Sequence, residues 1–544
     1  MQLTKGAIGN LINRYKAVLK KCHLLNVFGS LAVAGMLVMG GAAAAGAAEH
    51  VAIEEAALSY DGTAILTNAN ITTPIGYTLE NGGVTITADG VDHTGRGVLT
   101  NLYQMQETGA TEYISSTGLS ITGSTFSNNK NTLNNGAGGG AVSLWSDGNA
   151  ETGLSHSISS TTFTNNSSDL GGAVAIMKQG SFNTPGKTTF TDVIFTGNTA
   201  KQQGGAIFAE AENITISNST FEENKAFEGG SIYLKEKSHL TITGGRFTNN
   251  QALGENSSGG AIYVAGGSTL NVDSVTFTEN KAGTTDGSTY YVWGGAILNA
   301  GDITVKNSTF TNNISGTVGG ALGSTTDSGV MNINGSKFTD NHAVYDGGAI
   351  GNYSGMVIEG CSFEGNTAQL GLADDGTWTA SITDSTAIGG GAISLGAVSS
   401  SAVASISNTT FTNNISGTHG GAIATRMGKD ADNSAATLDI AATFIGNQAQ
   451  QGGAIYNTFY TDNRLGKGDG VTVTGLFSEN KATDKGGAIF NDGAPDNWGK
   501  NENGGGVMTV TNGIFTNNTA ASGGAIYNTG TMTVGGSFTG NTAH

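Results

Sequence analysis

The sequence has little of what most globular folds rely on. It contains 3 Pro, 2 Cys and 12% charged residues in 544, whereas ordinary soluble domains carry about 25% charged residues. So few prolines exclude collagen-like and Pro-rich chains. Two cysteines exclude a disulfide-stapled scaffold and a cysteine-based metal cluster, because each needs several thiols at close spacing. The low charge with 37% hydrophobic residues argues against intrinsic disorder.

Glycine, by contrast, is abundant. The chain has 87 Gly, about twice the usual share of roughly 7%, together with many Asn, Thr and Ser residues. All of these are poor helix formers. We therefore expect a fold held by β-ladders and side-chain packing.

Residues 1–48 have the layout of an export signal. They contain five basic and no acidic residues, then an apolar run from Leu24 and a tail of small residues ending at Ala48. This layout predicts an extended signal peptide with cleavage near Ala47 or Ala48. An uncleaved anchor is the alternative, because about 20 apolar residues can span a bilayer. Cleavage would remove Cys22 and leave Cys361 without a disulfide partner.

The mature chain is strongly acidic. The signal peptide takes five of the 24 basic residues, which leaves 19 against 42 acidic residues and a net charge of −23. Because binding to phosphate backbones depends on Lys and Arg, we expect no nucleic-acid partner.

Two short motifs alternate along the chain. Phe-x-x-Asn occurs fourteen times, and a Gly-Gly-(Ala/Ser)-(Ile/Val/Leu) tetrad stands once in each of the thirteen intervals. The Phe positions are 126, 163, 195, 221, 247, 277, 310, 338, 363, 411, 444, 477, 515 and 538. A regular internal period of this kind indicates a solenoid.

Short alternating segments such as Leu240 to Thr243 precede each Phe and predict strands. A unit of about 25 residues cannot bury its own apolar face, so it must stack on its copies. The sequence therefore predicts an all-β, right-handed parallel β-helix with about one coil per 25-residue repeat over 121–544. Residues 49–120 lack the motifs and are expected to form an N-terminal cap or irregular first coils.

The motif residues have structural roles in this fold. Phe should form an interior stack, Asn should occupy a turn with left-handed backbone and bond the next coil, and Gly-Gly should allow positive φ or close backbone approach. Direct ligand contact by the motif is the alternative. The representative positions are Phe195, Asn198, Gly204, Gly205, Phe221, Asn224, Phe247, Asn250, Phe338, Asn341, Gly347, Gly348, Phe515, Asn518, Gly523 and Gly524.

Over residues 126–541 the alternation of the two motifs resembles the repeats of chlamydial polymorphic outer membrane proteins. The resemblance implies an autotransporter passenger that acts as an adhesin, at the outer membrane surface or outside the cell. The implied partners are a host-cell surface protein or glycan, or a second copy. The family's barrel translocator is absent before His544, so we expect attachment to the outer membrane through a translocator not in this chain. Truncation or another export route are alternatives.

The four Trp residues lie in or beside irregular stretches. They are Trp145, Trp293, Trp378 and Trp498. Either they pack loops onto the flank of the solenoid, or they are contact residues for a partner.

A β-helical polysaccharide lyase or hydrolase is the alternative function. Such an enzyme needs carboxylates on neighbouring coils, whereas the acids here, such as Glu279 and Asp340, occupy variable places inside Phe-x-x-Asn. We therefore expect no catalytic residue, no cofactor and no metal site.

Overall fold

A computed structural model describes the backbone of strands between 51 and 115. It also describes residues 120–123, 125–131, 138–145, 155–178, 186–210, 212–283, 292–325, 329–372, 378–381, 388–396, 404–427, 437–459, 470–493 and 506–544. Side chains are described from Ile121 onward, except those of 145, 371–372, 378–381, 427 and 459. The predicted signal peptide, 1–48, lies outside the described residues.

The described chain winds through three parallel sheets. Each full coil crosses sheet 1, then sheet 2, then sheet 3, and every strand pairs with its counterpart in the next coil. Sheet 2 has fifteen strands, one for each coil. The predicted right-handed parallel β-helix, with one repeat forming one coil, is confirmed.

Sheet 1 consists of Val51–Ile53, Ile75–Glu80, Gly83–Thr87, Ser120–Thr122, Thr125–Ser127, Ser155–Ser159, Thr162–Thr164, Lys187–Thr191, Ile194–Thr196, Asn213–Ser217, Thr220–Glu222, His239–Thr243, Arg246–Thr248, Thr269–Asp273, Thr276–Thr278, Asp302–Lys306, Thr309–Thr311, Met331–Asn334, Lys337–Thr339, Met356–Glu359, Ser362–Glu364, Ala404–Thr412, Leu438–Ile445, Val471–Ser478, Val507–Thr516 and Thr531–Thr539.

Sheet 2 consists of Asp92–His93, Lys130–Asn131, Ser167–Leu170, Thr199–Gln203, Lys225–Ala226, Gln251–Ala252, Lys281–Ala282, Ile314–Ser315, His342–Ala343, Thr367–Ala368, Ile415–Ser416, Gln448–Gln451, Lys481–Lys485, Thr519–Ala520 and Thr542–Ala543.

Sheet 3 consists of Leu99–Thr100, Val142–Trp145, Val174–Met177, Ile207–Ala209, Ile232–Leu234, Ile262–Val264, Ile297–Asn299, Leu322–Ser324, Ile350–Asn352, Ile393–Leu395, Ile423–Met427, Ile455–Phe459, Ile489–Asn491 and Ile526–Asn528. Two hairpins lie outside the sheets: Leu102–Glu107 with Ala110–Ser115, and Leu370–Leu372 with Trp378–Ser381.

The first coil belongs to the segment without motifs. Gly83–Thr87 runs parallel to the next coil and places Ile86 opposite Phe126. On its other side Gly83–Thr87 pairs antiparallel with Ile75–Glu80. The 49–120 segment thus contains one coil in register and an antiparallel ribbon beside it.

The motif Phe residues form one continuous interior stack. In sheet 1 each Phe lies opposite the Phe of the next coil, from Phe126 to Phe538. Consecutive ring centroids are 4.4 to 5.0 Å apart and the rings are within 12° of parallel. Thirteen of these side chains are completely buried, and Phe538 in the last coil is half exposed. Packing of this quality requires every coil to keep the same register.

The motif Asn residues form a second column, hydrogen-bonded along its length. Asn198, for example, donates from Nδ2 to Oδ1 of Asn224 at 3.0 Å and to the carbonyl of Phe163 at 2.9 Å. Its Oδ1 accepts from both the backbone and the side-chain nitrogen of Asn166. These four bonds use the full capacity of the amide, so the side chain can be buried at little cost.

The motif sequence predicts left-handed backbone at the motif Asn, and this prediction is wrong. The left-handed residue is the one directly before that Asn. All fourteen repeats have φ between 52° and 65° there. The residues are Asn128, Asn165, Gly197, Glu223, Asn249, Glu279, Asn312, Asp340, Gly365, Asn413, Gly446, Glu479, Asn517 and Gly540. Because Gly, Asn and Asp tolerate left-handed backbone best, the apparently variable position is restricted by backbone geometry.

The two tetrad glycines serve different needs. Gly204 has φ of +67°, and Gly347 and Gly523 adopt the same left-handed conformation. A Cβ on the second glycine, Gly205, would collide with the Gly230 carbonyl of the next coil. The first glycine therefore allows a left-handed backbone conformation, and the second allows the backbones of neighbouring coils to approach each other closely.

We predict that Phe338→Ala lowers the free energy of unfolding by about 3 to 5 kcal/mol, because it removes a ring from the buried stack and leaves a cavity. Thr339→Ala, whose side chain is only half buried on the opposite face, is the matched control and should be nearly silent. Urea denaturation followed by circular dichroism measures both. Equal and small effects would contradict the interior stack.

We also predict that Glu479→Asn raises the free energy of unfolding by about 0.5 to 1 kcal/mol, because Asn adopts the observed φ of 59° more readily than Glu. Glu479→Val should destabilise, since β-branched residues are outliers at positive φ. A shift of the two denaturation midpoints in the same direction would refute this assignment.

Candidate functional site

The length of each coil varies mainly next to sheet 3, since within sheet 1 neighbouring coils differ by single residues only. Every motif Phe lies four residues before the start of the following sheet 2 strand, as in Phe195 and Thr199–Gln203. The additional residues lie where the chain passes from sheet 2 to sheet 3, or from sheet 3 back to sheet 1. We call these places the 2–3 corner and the 3–1 corner. The outer face of sheet 3 is therefore bordered on both sides by variable segments.

All four Trp positions fall at these two corners. Trp145 ends a sheet 3 strand at the 3–1 corner, and Trp378 begins a hairpin strand at the 2–3 corner. Trp498 lies outside the described residues and stands in the sequence between the sheet 3 strand Ile489–Asn491 and the sheet 1 strand Val507–Thr516. Trp293 lies at the 2–3 corner and is the one Trp with a described side chain.

Trp293 packs along the flank of the solenoid. Its backbone forms a β-bridge with Val318, its amide donates to Ser258 Oγ at 3.1 Å, and its ring lies 5.1 Å from the ring of Tyr353. A Cβ on Gly323 would lie only 3.0 Å from Trp293 Cβ. Trp293 thus has a packing role, and its half-buried side chain offers only part of its surface to a partner.

The outward-facing residues of sheet 3 form two aromatic stretches, Phe208 to Tyr263 and Tyr456 to Tyr527, separated mostly by small residues. Phe208, Tyr233 and Tyr263 stack with centroid distances of 5.8 and 4.7 Å. Burial raises the pKa of Tyr263 to about 12. Because these rings stack on each other, their edges rather than their faces point outward.

The small residues make room for polar side chains. In this part of sheet 3 the outward positions are Gly323, Gly351, Ser394 and Ala424. The ring of Tyr353 packs so closely on Gly396 that a Cβ there would collide with it. Beside these positions lies a group of buried and partly buried polar residues that we call the Asp346 cluster: Asp346, Tyr353, Gln369, His419 and Arg426.

Asp346 is the most constrained member of this cluster. Its Oδ1 accepts hydrogen bonds from the amides of Ile388 and Gly389 at 2.7 and 2.8 Å, and its Oδ2 lies 3.4 Å from the Tyr353 hydroxyl. Burial raises the pKa of Asp346 to about 6, against the opposing effect of the two amides and Arg426. The carboxylate holds the chain where the insertion after Gln369 returns to the solenoid.

Gln369 is fully buried, and Tyr353, His419 and Arg426 are partly buried. Gln369 Oε1 accepts from Ser416 and Thr418, whereas its Nε2 has no partner among the described residues. The His419 ring lies 4.3 Å from that of Tyr456, and burial lowers the pKa of His419 to about 4. Buried polar groups of this kind rigidify a region when they are paired.

Sequence reasoning missed the Asp346 cluster. Its members do not recur with the repeat, and Arg426 lies two coils beyond Asp346. One signal was available: Asp346 directly precedes a Gly-Gly pair, and the coil after it carries the longest insertion in the chain. An isolated carboxylate beside an insertion predicts an anchor for that insertion.

The acidic residues of Phe-x-x-Asn do not converge. Glu223, Glu279 and Glu479 occupy the left-handed position, while Glu222 and Glu364 point outward from sheet 1. Glu364 lies 3.5 Å from Lys337, and both are exposed. Within the described residues, no group of three or more His, Cys, Asp or Glu could hold a metal ion.

Cys361 replaces a hydroxyl in a polar column of sheet 1. Its Sγ accepts from the Ser336 amide at 3.4 Å, just as Ser336 Oγ accepts from the Ser308 amide at 3.1 Å. Cys361 is 4% exposed, and burial raises the pKa of its thiol.

We predict that Cys361 reacts with Ellman's reagent at least tenfold more slowly in the native protein than in 6 M guanidinium, because the buried thiol is protonated and inaccessible. The 412 nm absorbance trace measures both rates. Equal rates would contradict its interior position.

Two family models match the chain. A right handed beta helix region covers residues 109–310, and a Chlamydia polymorphic membrane protein repeat matches four times, at 408–426, 441–458, 474–492 and 512–529. No curated protein and no solved structure matches. The predicted resemblance is thereby confirmed. The described residues contain no helix long and apolar enough to cross a membrane.

Proposed function

We propose that this chain, whose repeats are of the chlamydial polymorphic membrane protein type, is an adhesin that binds a host-cell surface protein or glycan along the borders of sheet 3. The repeats and the β-helix suggest a non-enzymatic passenger of the autotransporter type at the outer membrane surface. Binding to host cells, export by a signal peptide and attachment through a separate translocator are the further parts of the proposal.

The distribution of the insertions is the observation that carries it. Sheet 1 runs through fifteen coils with register shifts of single residues only, while every longer insertion lies at the 2–3 or the 3–1 corner. Variable loops on a rigid scaffold are where binding residues concentrate. Trp145, Trp378 and Trp498 lie at these corners, and Trp is frequent among residues that dominate binding energy.

Charge restricts the partner. The chain has a net charge of −18 before any cleavage, so long-range electrostatics favours a neutral or basic surface over an anionic one. A neutral glycan or a basic protein segment fits this condition.

The enzyme alternative gains no support from the Asp346 cluster. A lyase or hydrolase needs carboxylates that touch a polymeric substrate, whereas the Asp346 carboxylate is buried and accepts the backbone amides of Ile388 and Gly389. The Asp346 carboxylate acts on the chain's own backbone.

We predict that Trp378→Ala and Trp498→Ala each reduce binding of the purified protein to cultured host cells by about tenfold, and that the double variant reduces it further. Flow cytometry of labelled protein over a concentration series measures the affinity. Thr309→Ala on the outer face of sheet 1 is the matched control and should bind like the wild type.

Loss of binding only in the Thr309 control would refute the assignment to sheet 3. Release of reducing sugar from a polysaccharide would replace the adhesin with the enzyme. Concentration-dependent dimers that need Trp378 or Trp498 would make a second copy the partner.

A further inference from the structure

We propose that the outer face of the five C-terminal sheet 1 strands is the contact of a weak, two-fold symmetric dimer of this chain. We call this face the sheet 1 patch. The proposal does not depend on the proposed function, because the corners beside sheet 3 take no part in it. The five strands are Ala404–Thr412, Leu438–Ile445, Val471–Ser478, Val507–Thr516 and Thr531–Thr539.

Charge is nearly absent from the sheet 1 patch. Asp439 is the only charged residue in its five strands. The sheet 1 strands of the preceding coils carry exposed charges of both signs, such as Arg246, Lys337 and Glu364. Because the whole chain has a net charge of −18, two copies repel each other in general. The patch is a place where a second copy approaches with little of that repulsion.

Three apolar side chains stand on this face, at positions where other coils mostly have Thr. Ile514 is 49% exposed, and Leu476 lies beside it in the preceding coil, half-buried. Ile445 lies one coil before Leu476, in the next column. Monomeric proteins tolerate single exposed apolar side chains, whereas a group of them marks an interaction surface.

The patch is continuous and large enough for a dimer. In each of its coils one strand of eight to ten residues crosses sheet 1, whereas in the preceding coils two strands of three to five residues do so. Five strands about 4.8 Å apart, with a rise of about 3.3 Å per residue, cover about 24 by 26 Å. Two such faces bury about 1,200 Å², the lower limit of specific interfaces. This area predicts a weak, reversible dimer.

The pattern of side chains is compatible with a two-fold axis that runs parallel to the strands through Leu476. Such an axis brings the two Leu476 side chains together and lays the coil before Leu476 over the coil after it. Ile514 of each copy then faces Thr443 of the other copy, and Asp439 faces Thr509. The two carboxylates therefore stay apart. Pairing of one patch with itself is the commonest arrangement in homodimers.

Sedimentation velocity of the full chain tests the dimer without any ligand, over about 1 to 100 µM, as appropriate for an interface of this size. We expect a reversible dimer in the wild type. Leu476→Thr should weaken it by about tenfold, because the apolar contact at the centre is lost. Leu476→Lys should abolish it, since two ammonium groups would meet on the axis. Raising the salt from about 0.05 to about 0.5 M should strengthen the wild-type dimer, because salt screens the repulsion between acidic copies.

The matched control is Thr276→Lys, which places the same charge in the same column of sheet 1 outside the patch and should dimerise like the wild type. If Leu476→Lys fails to fold, by circular dichroism, Ile514→Lys at the more exposed position decides instead. A wild type that stays monomeric at every concentration overturns the proposal.

A dimer that both lysine variants leave intact also overturns the proposal. So does a loss of host-cell binding in these variants without a wild-type dimer, which would make the patch a contact for another protein. Trp378→Ala should dimerise like the wild type. Loss of adhesion with an intact dimer therefore refutes the proposed function alone, and loss of the dimer with intact adhesion refutes this proposal alone.

Discussion

Coil-to-coil register is the constraint on which the rest of this structure depends. Each Phe must lie on the Phe of the next coil, and each Asn must meet the Asn of the next coil. A slip of one residue would turn every side chain of a strand to the other face and would leave buried amides unpaired. The two columns lie on adjacent segments of one coil, so they enforce the same register independently. This explains why no extra length is found between sheet 1 and sheet 2.

That constraint also determines where variation is permitted. Loop-closure entropy grows slowly with loop length, so an insertion costs little if it leaves both columns undisturbed. The two corners beside sheet 3 satisfy this condition, because neither lies between the Phe and Asn columns, and the tetrad glycines follow each excursion at the 2–3 corner. The insertion beside Asp346 needs more than this, since its return is held by the buried Asp346 carboxylate, by Gly389 at a φ of +95° and by the packing of Ile388. A long excursion thus requires its own anchor.

The architecture could be predicted from the sequence because the same two motifs recur at regular spacing along fourteen coils. Phe338 and Asn341 could be placed in the interior column and the bonded turn from spacing alone. The left-handed residue was misplaced by one position, because Asn is common both at the motif position and just before it. Asp340 and Glu279 at that earlier position were the residues that could have corrected this, since they show that the place accepts several residue types but no β-branched one. Asp346, Tyr353 and Arg426 could not be grouped from the sequence, because their proximity results from the stacking of coils that lie far apart in the chain.

The Asn column has a direction as well as a register. Between consecutive Asn residues Nδ2 always donates to the Oδ1 of the next coil towards the C-terminus, through thirteen amide-to-amide bonds of 2.7 to 3.1 Å. At the N-terminal end Asn129 Oδ1 has no donor among the described residues. Aligned amides in series polarise one another, so their dipoles add along the axis, negative towards Asn129 and positive towards Asn541. The Asn column therefore carries a dipole along the solenoid axis that comes from amide groups alone and needs no charged residue.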